Sequence, residues 1–210
     1  MYKRGDVMCG ACLRRMIGFF VLLYVTPLAA ATTAAVFAKY PNHYFVETGS
    51  WYGAGIQEAL NSGGFREIHS VELSTFHHQH CKKRFYGQRN VHLWHGDSAR
   101  QLPGILSHID APATFWLDAH YSQGDTAMGE TKTALTQELE AIGRHHIRTH
   151  TILIDDVRLF GTSEFDYLPL HTVVAMLYSI NPDYQITFED GFQKNDVLVA
   201  SCHAITAKRK

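Results

Sequence analysis

"FVETGSWYGAGIQEAL", residues 45–60, decides how the rest of the chain is read. An apolar pair leads into a carboxylate, Glu47; glycines follow at 49, 53 and 55; the segment then takes up helical spacing. A strand, a glycine-rich turn and a helix in that order form the opening unit of an α/β layer. Glycine reaches backbone angles that other residues resist, and it leaves room for a ligand or another chain segment to come close. The spacing is not the GxGxxG of a dinucleotide fingerprint. An acid directly ahead of the turn also suits a ligand bearing an ammonium or hydroxyl groups better than a phosphate.

Outward from this unit, short apolar runs alternate with longer helical segments. Strands are expected at "HYFVE" (43–47), "EIHSVEL" (67–73), "VHLWHG" (91–96), "ATFWLD" (113–118) and "TILIDD" (151–156). Helices are expected at 54–62, 74–86, 98–107 and 130–147. Serial β-then-α units predict a doubly wound, mainly parallel sheet. The end of the chain departs from that alternation: a helix at 167–180 precedes "YQITFED" (184–190) and "DVLVASCHAI" (196–205), close enough to pair as an antiparallel hairpin. The long loop "AHYSQGDTAMGE" (119–130) has the length of a lid or binding segment.

Length and composition set bounds. A chain of 210 residues, 46% hydrophobic and 12% aromatic, supports one sizeable core. Nineteen basic residues against twenty acidic leave a formal charge of -1, so no global field draws the protein to nucleic acid or anionic lipid. Cys9 and Cys12 have CxxC spacing but no second pair to complete a zinc site, while Cys81 and Cys202 read as packing residues. Fourteen histidines define no metal site by number, and "FHHQH" (76–80) reads as the solvated face of a helix. The hydrophobic segment 16–38 has a basic flank and a small-residue end. It fits a signal peptide, a membrane anchor or a helix covering the core, and a cytoplasmic catalytic domain is the favoured location.

Nearly every expected strand ends in an acid: Glu47, Glu72, Asp97 just past its strand, Asp118, and the pair Asp155 and Asp156. In doubly wound sheets the ligand lies beyond the carboxyl ends of the strands, near the point where strand order reverses. Acids gathered at that edge repel one another unless a ligand or partner answers them, which marks the edge as a binding rim. Asp97 ahead of "SARQL" also has the position of a helix cap.

With those residues in place, the sequence resembles the class I S-adenosylmethionine-dependent methyltransferases. "VETGSWYGAG" is similar to their first motif, "SVELS" to the second strand with its ribose-binding acid, and "HGDSA" to the segment that meets the adenine. The likeness runs in order through residues 43–205. It implies a Rossmann-like seven-stranded sheet of order 3-2-1-4-5-7-6 in residues 41–210, after an N-terminal extension of residues 1–40. It further implies S-adenosylmethionine as cofactor, held by Glu47, Gly49, Ser50, Gly53, Gly55, Glu72, Leu73, Asp97, Ser98 and Asp118. In this assignment Glu47 draws the cofactor's amine, Glu72 accepts from the ribose hydroxyls, and Gly49 and Gly53 give the cofactor clearance.

Methyl transfer is an in-line displacement at a carbon activated by positive sulfur, so the protein must align the nucleophile and manage its proton. Asp118 and His120 are the candidate catalytic residues, with His120 as general base. A divalent cation, magnesium or calcium, on Asp118, Asp155 and Asp156 is the alternative, as in metal-dependent O-methyltransferases. The sequence departs from that group: Asp156 stands where an amide is usual, and His120, Tyr121 and Ser122 replace the lysine after the fourth-strand acid. Asp155 and Asp156 equally fit a turn cap and an ion pair with Arg158. Trp51, Tyr52, Tyr121 and Phe160 are candidates for an acceptor pocket, and Trp94 and Trp116 for the core. The expected reaction is O-methylation of a small-molecule or saccharide hydroxyl. A nicotinamide-dependent oxidoreductase and a non-catalytic binding domain of the same fold are the competing readings.

Overall fold

The computed structural model describes residues 34–121, 124, 126–129 and 131–202. Its sheet has seven strands: β1 Tyr44–Thr48, β2 Glu67–Glu72, β3 Val91–His95, β4 Ala113–Leu117, β5 Thr151–Ile154, β6 Gln185–Glu189 and β7 Val197–Ser201. Their order is β3-β2-β1-β4-β5-β7-β6, with β7 antiparallel to both neighbours and every other pairing parallel. The expected fold is therefore the observed one. β1, β4, β5 and β7 are buried along their whole length, which is why they read as continuous apolar runs instead of alternating ones.

Helices cover both faces. On one side α1 Ala34–Phe37, α2 Ala54–Ser62 and α3 Thr75–Arg84 close a core containing Phe37, Ile56, Cys81 and Phe85. On the other, α4 Ser98–Leu106, α5 Leu135–Arg144 and α6 Leu170–Ile180 close one containing Leu102, Leu139, Ile142 and Leu177. Two helices, α5 and α6, start several residues later than expected. Residues 131–134 are tied to the exit of β4, where His120 pairs with Thr133 and the Tyr121 N–H donates to the Lys132 carbonyl at 2.7 Å, so α5 starts at Leu135. Pro169, extended at ψ 145, sets the start of α6 at Leu170.

The register places the site. Thr48 pairs with Val71 on one side and Leu117 on the other, Glu72 with His95, and Leu117 with Ile154. The parallel strands thus finish level, and Gly49, Leu73, Gly96, Asp118 and Asp155 emerge side by side along one edge. Chain direction across the sheet reverses between β1 and β4, which puts the binding crevice of this architecture over Gly49 and Asp118.

Residues 1–33 and 203–210 lie outside the described residues, and with them the Cys9–Cys12 pair and most of the hydrophobic segment. The end of that segment does join the fold: Val36 and Phe37 are buried, and the Tyr40 hydroxyl donates to Glu189 on β6 at 2.8 Å. Among the described residues no helix is long and apolar enough to cross a membrane.

Candidate active site

Two cavities open at the strand-end edge. The first, about 370 Å³, runs over Gly49, Glu72, Leu73, Asp97 and Ser98 and is closed by the segment around Thr126–Gly129. Glu72 is fixed in its wall by the backbone, since Oε2 accepts from the Trp51 N–H and Oε1 from the Ser74 N–H, both at 2.7 Å. Each oxygen keeps a further acceptor site for a ligand hydroxyl. Asp97 caps α4, its Oδ1 accepting from the Ala99 N–H at 2.9 Å. Its other oxygen faces Gly129, where a Cβ would come within 3.1 Å. A side chain at residue 129 would press on this acid, so the loop and Asp97 are closely packed.

The glycines of residues 49–55 answer to the chain itself. Gly49 (φ 86) and Gly53 (φ 80) adopt the left-handed conformation. A Cβ at Gly49 would lie 2.8 Å from the Asp118 carbonyl, at Gly53 2.5 Å from the Phe85 ring, and at Gly55 1.9 Å from Glu47 Oε1. Cofactor clearance was the expected reason for Gly49 and Gly53. The turn is closely packed against β4, α3 and Glu47, and Gly49, unlike Gly53, also lines both cavities. Gly53 lines neither cavity, and Gly55 lines only the second.

Glu47 and Ser50 also face the second cavity, of about 390 Å³. Glu47 accepts a short hydrogen bond from the Ser70 hydroxyl, which is itself 2.5 Å from Ser50 Oγ. Burial pushes the Glu47 carboxyl up to about 8, against the lowering effect of Ser70, with the charges of Asp118 and Glu72 adding to the rise. It is thus largely a neutral acid at pH 7, held by Ser70 and outside the first cavity. The expected draw on a cofactor's amine is not what its placement provides.

Asp118 and His120 lie where both cavities meet, together with Gly49, Trp51 and Tyr121. His120 is clamped: Nδ1 is 3.5 Å from Asp118 Oδ1, and Nε2 is 3.1 Å from Asp156 Oδ2. Burial pulls its pKa down, but the hydrogen bond and charge of Asp118 and the charge of Asp156 outweigh burial and Arg158, and the net shift is upward. Both ring nitrogens already face carboxylates, so this ring is poorly placed to begin a cycle as a general base. Asp156 reaches it from a left-handed backbone conformation (φ 61) and also pairs closely with Arg158, which is shared with Asp196. Asp155 turns away to accept the Asp156 N–H at 2.8 Å, and burial with neighbouring carboxylates pushes it up to about 9.

The expected metal set is therefore not assembled. The groups that converge are Asp118, His120 and Asp156, and separately Asp155, Asp156 and Asp196. Magnesium and calcium require six or more oxygen ligands. Here an imidazole occupies the gap between two carboxylates and a guanidinium already neutralises one of them, so the residues present do not fit such an ion. A further cluster of Glu67, His69 and His92 fails on tautomer. The Trp94 indole N–H donates to His69 Nδ1 at 3.2 Å, which leaves the neutral ring's proton on Nε2, the nitrogen nearest Glu67.

Several site residues escaped the sequence reading. Asp196 sits beside Arg158 because the β5–β7 register, Ile154 opposite Leu198, continues past the strand ends. Glu138 is 1% exposed on α5, pushed up to about 7 by burial and held by Ser98 and Thr48. Its signal was an acid in the apolar stripe Leu135, Leu139, Ile142. His77 is buried and lines the first cavity, contrary to a solvated "FHHQH" face, because Trp51 and Tyr52 fold over it with ring centroids at 6.4 and 4.7 Å.

The sheet order and its terminal antiparallel hairpin are those of the Rossmann-like methyltransferase fold. No family model matches the chain, and no curated protein matches it. Solved structures do. The chain is similar to an O-methyltransferase from Bacillus cereus in complex with SAH (TM-score 0.53, 13% identity, covering 80% of this chain and 78% of that one). It is similar also to the methyltransferase domain of bacterial CtHen1 (0.52, 14%, 80% and 94%) and to human N-acetylserotonin methyltransferase in complex with SAM (0.51, 14%, 81% and 50%). At such identities the likeness establishes the fold.

Proposed function

We propose that the protein transfers a methyl group from S-adenosylmethionine to a hydroxyl of a small molecule or saccharide. The observation that carries this reading is the junction of two cavities of similar size at Asp118 and His120. Glu72 accepts from the ribose hydroxyls, Asp97 and Ser98 adjoin the adenine, and Gly49 with Asp118 borders the methionine end. Leu73 supplies an apolar wall between ribose and base. Support for the cofactor comes from this cradle and from structural neighbours solved with SAM or SAH.

The acceptor lies in the second cavity, its oxygen aligned with the methyl carbon. Bound S-adenosylmethionine would supply a methyl carbon whose bond to sulfur breaks, its electron pair going to sulfur, as the C–O bond forms, and the Asp118 carboxylate would take the hydroxyl proton. Asp118 is the better placed proton acceptor, its side chain being 30% exposed against 9% for His120. His120, set between two carboxylates, holds Asp118 in orientation and is a positioning residue. Methyl transfer from labelled S-adenosylmethionine to a panel of hydroxylated small molecules tests the reading. Labelled product formed by the wild type and lost in Asp118→Asn supports it. A protein that binds the cofactor but methylates no member of a broad panel supports the non-catalytic alternative.

A further inference from the structure

The second cavity carries a charge pattern that the proposed chemistry does not require. Among the described residues its lining includes six carboxyl groups, one arginine and one histidine, and no lysine. The two cations are committed internally: Arg158 lies between Asp156 and Asp196, and His120 between Asp118 and Asp156. Burial holds Glu47 and Asp155 largely protonated, so they supply hydrogen-bond donors and acceptors in place of charge. Glu58 and Glu164 remain toward the mouth. Glu58 accepts the Ala34 N–H at 2.8 Å, Glu164 accepts from the Ser163 hydroxyl at 3.3 Å, and neither makes an ion pair among the described residues. Lys132, whose charge acts on Glu164, directs its ammonium to the Ser163 carbonyl at 2.8 Å.

Aromatic rings line the same space. Trp51 and Phe192 are 42% and 53% exposed, and Trp116 and Tyr121 contribute to the wall. The electron-rich face of such a ring attracts cations, most strongly where water is partly excluded. The protein itself uses this property here, because the Arg158 guanidinium carbon sits 4.7 Å from the centre of the Phe192 ring. Carboxylates that make no ion pair among the described residues and aromatic rings in the same cavity are the two elements of an ammonium site. Both also repel an anionic acceptor.

We propose that the second cavity takes a hydroxylated acceptor bearing a positive charge, an amino sugar or an aromatic amino alcohol, with its ammonium toward Glu58, Glu164 and the exposed rings and its hydroxyl toward Asp118. This rests on the methyltransferase reading above. The ammonium keeps its protons throughout; only the hydroxyl oxygen gains the methyl group.

Saturation-transfer NMR on the full chain loaded with S-adenosylhomocysteine tests it, using two matched sets: glucosamine, glucose and glucuronate; tyramine, tyrosol and 4-hydroxyphenylacetate. In at least one set the amine is expected to bind about fivefold more tightly than its neutral counterpart, with the acid weakest, the size expected of partly exposed charge pairs. The double variant Glu58→Gln, Glu164→Gln should bring that ratio to about one while S-adenosylhomocysteine affinity is kept. Equal or stronger binding of the neutral or acidic members, no binding by any of the six, or a preference that survives the double variant overturns the proposal. Failure of S-adenosylhomocysteine to load would instead count against the methyltransferase reading, and is seen before any acceptor is added.

Discussion

The two cavities share a wall but are built differently. The first is defined by where parallel strands end: Glu72, Leu73, Asp97 and Ser98 stand at or just past β2 and β3, and backbone N–H groups fix Glu72 from both sides. The second is defined by side chains that fix one another: Asp118, His120, Asp156, Arg158 and Asp196 form a run of alternating charge from β4 to β7. A site held by backbone tolerates loss of its neighbours. A site held by coupled charges does not, because removing one partner leaves another buried and unanswered.

The largest effect falls at the shared wall. Asp118→Asn should lower methyl transfer by about 10²- to 10³-fold, the usual contribution of a positioned proton acceptor, and leave S-adenosylhomocysteine affinity within a few-fold of wild type. A parallel loss of affinity would show that the cavities are not separable. Next, Glu72→Ala should weaken S-adenosylhomocysteine by roughly 100-fold, as expected for two hydrogen bonds to a carboxylate, without a change in urea midpoint beyond the cost of its two lost backbone hydrogen bonds. An unchanged affinity would remove the ribose assignment.

Gly53→Ala sharpens the comparison from the other side. The left-handed backbone and the Phe85 ring at 2.5 Å from the new Cβ predict a loss of about 1–3 kcal/mol in urea unfolding. Affinity for S-adenosylhomocysteine should stay near wild type, since Gly53 borders neither cavity. A variant that folds normally but binds poorly would return this glycine to the cofactor site.

The smallest effect is on pH dependence. The Glu47 carboxyl is raised from 4.5 to about 8 in the folded protein, so the native state holds this proton more tightly than the unfolded chain does. Its contribution to stability is complete below about 4.5 and is lost as pH rises toward 8. Glu138, at about 7, acts in the same direction. Urea midpoints should therefore fall between pH 6 and pH 9, and Glu47→Gln should reduce that fall. An identical slope in the variant would mean that Glu47 is charged in the native state.

The difference between the cavities also explains what the sequence disclosed. Strand ends are local features: "VELS" and "HGDSA" carry their acids at fixed positions after apolar runs, and the level register of β1, β2, β3 and β4 turns that into a shared edge. Alternation and the terminal hairpin pointed to a doubly wound sheet, and the family resemblance supplied the order of its seven strands. The second cavity depends on contacts between distant segments. Nothing near Asp156 announces Asp196, which arrives through an antiparallel pairing, and nothing in "LDAHYS" shows that His120 will be held between two carboxylates. The glycines of residues 49–55 show the same limit. Their absence of side chains was legible, but Phe85, Glu47 and the Asp118 carbonyl, which occupy the space, were not.

Calorimetric titration of the full chain with S-adenosylmethionine, S-adenosylhomocysteine and NAD tests the central claim most directly. One site is expected for each of the two sulfur compounds and none for NAD, with binding lost in Glu72→Ala. Binding of NAD alone, or of none of the three by the wild type, would contradict it.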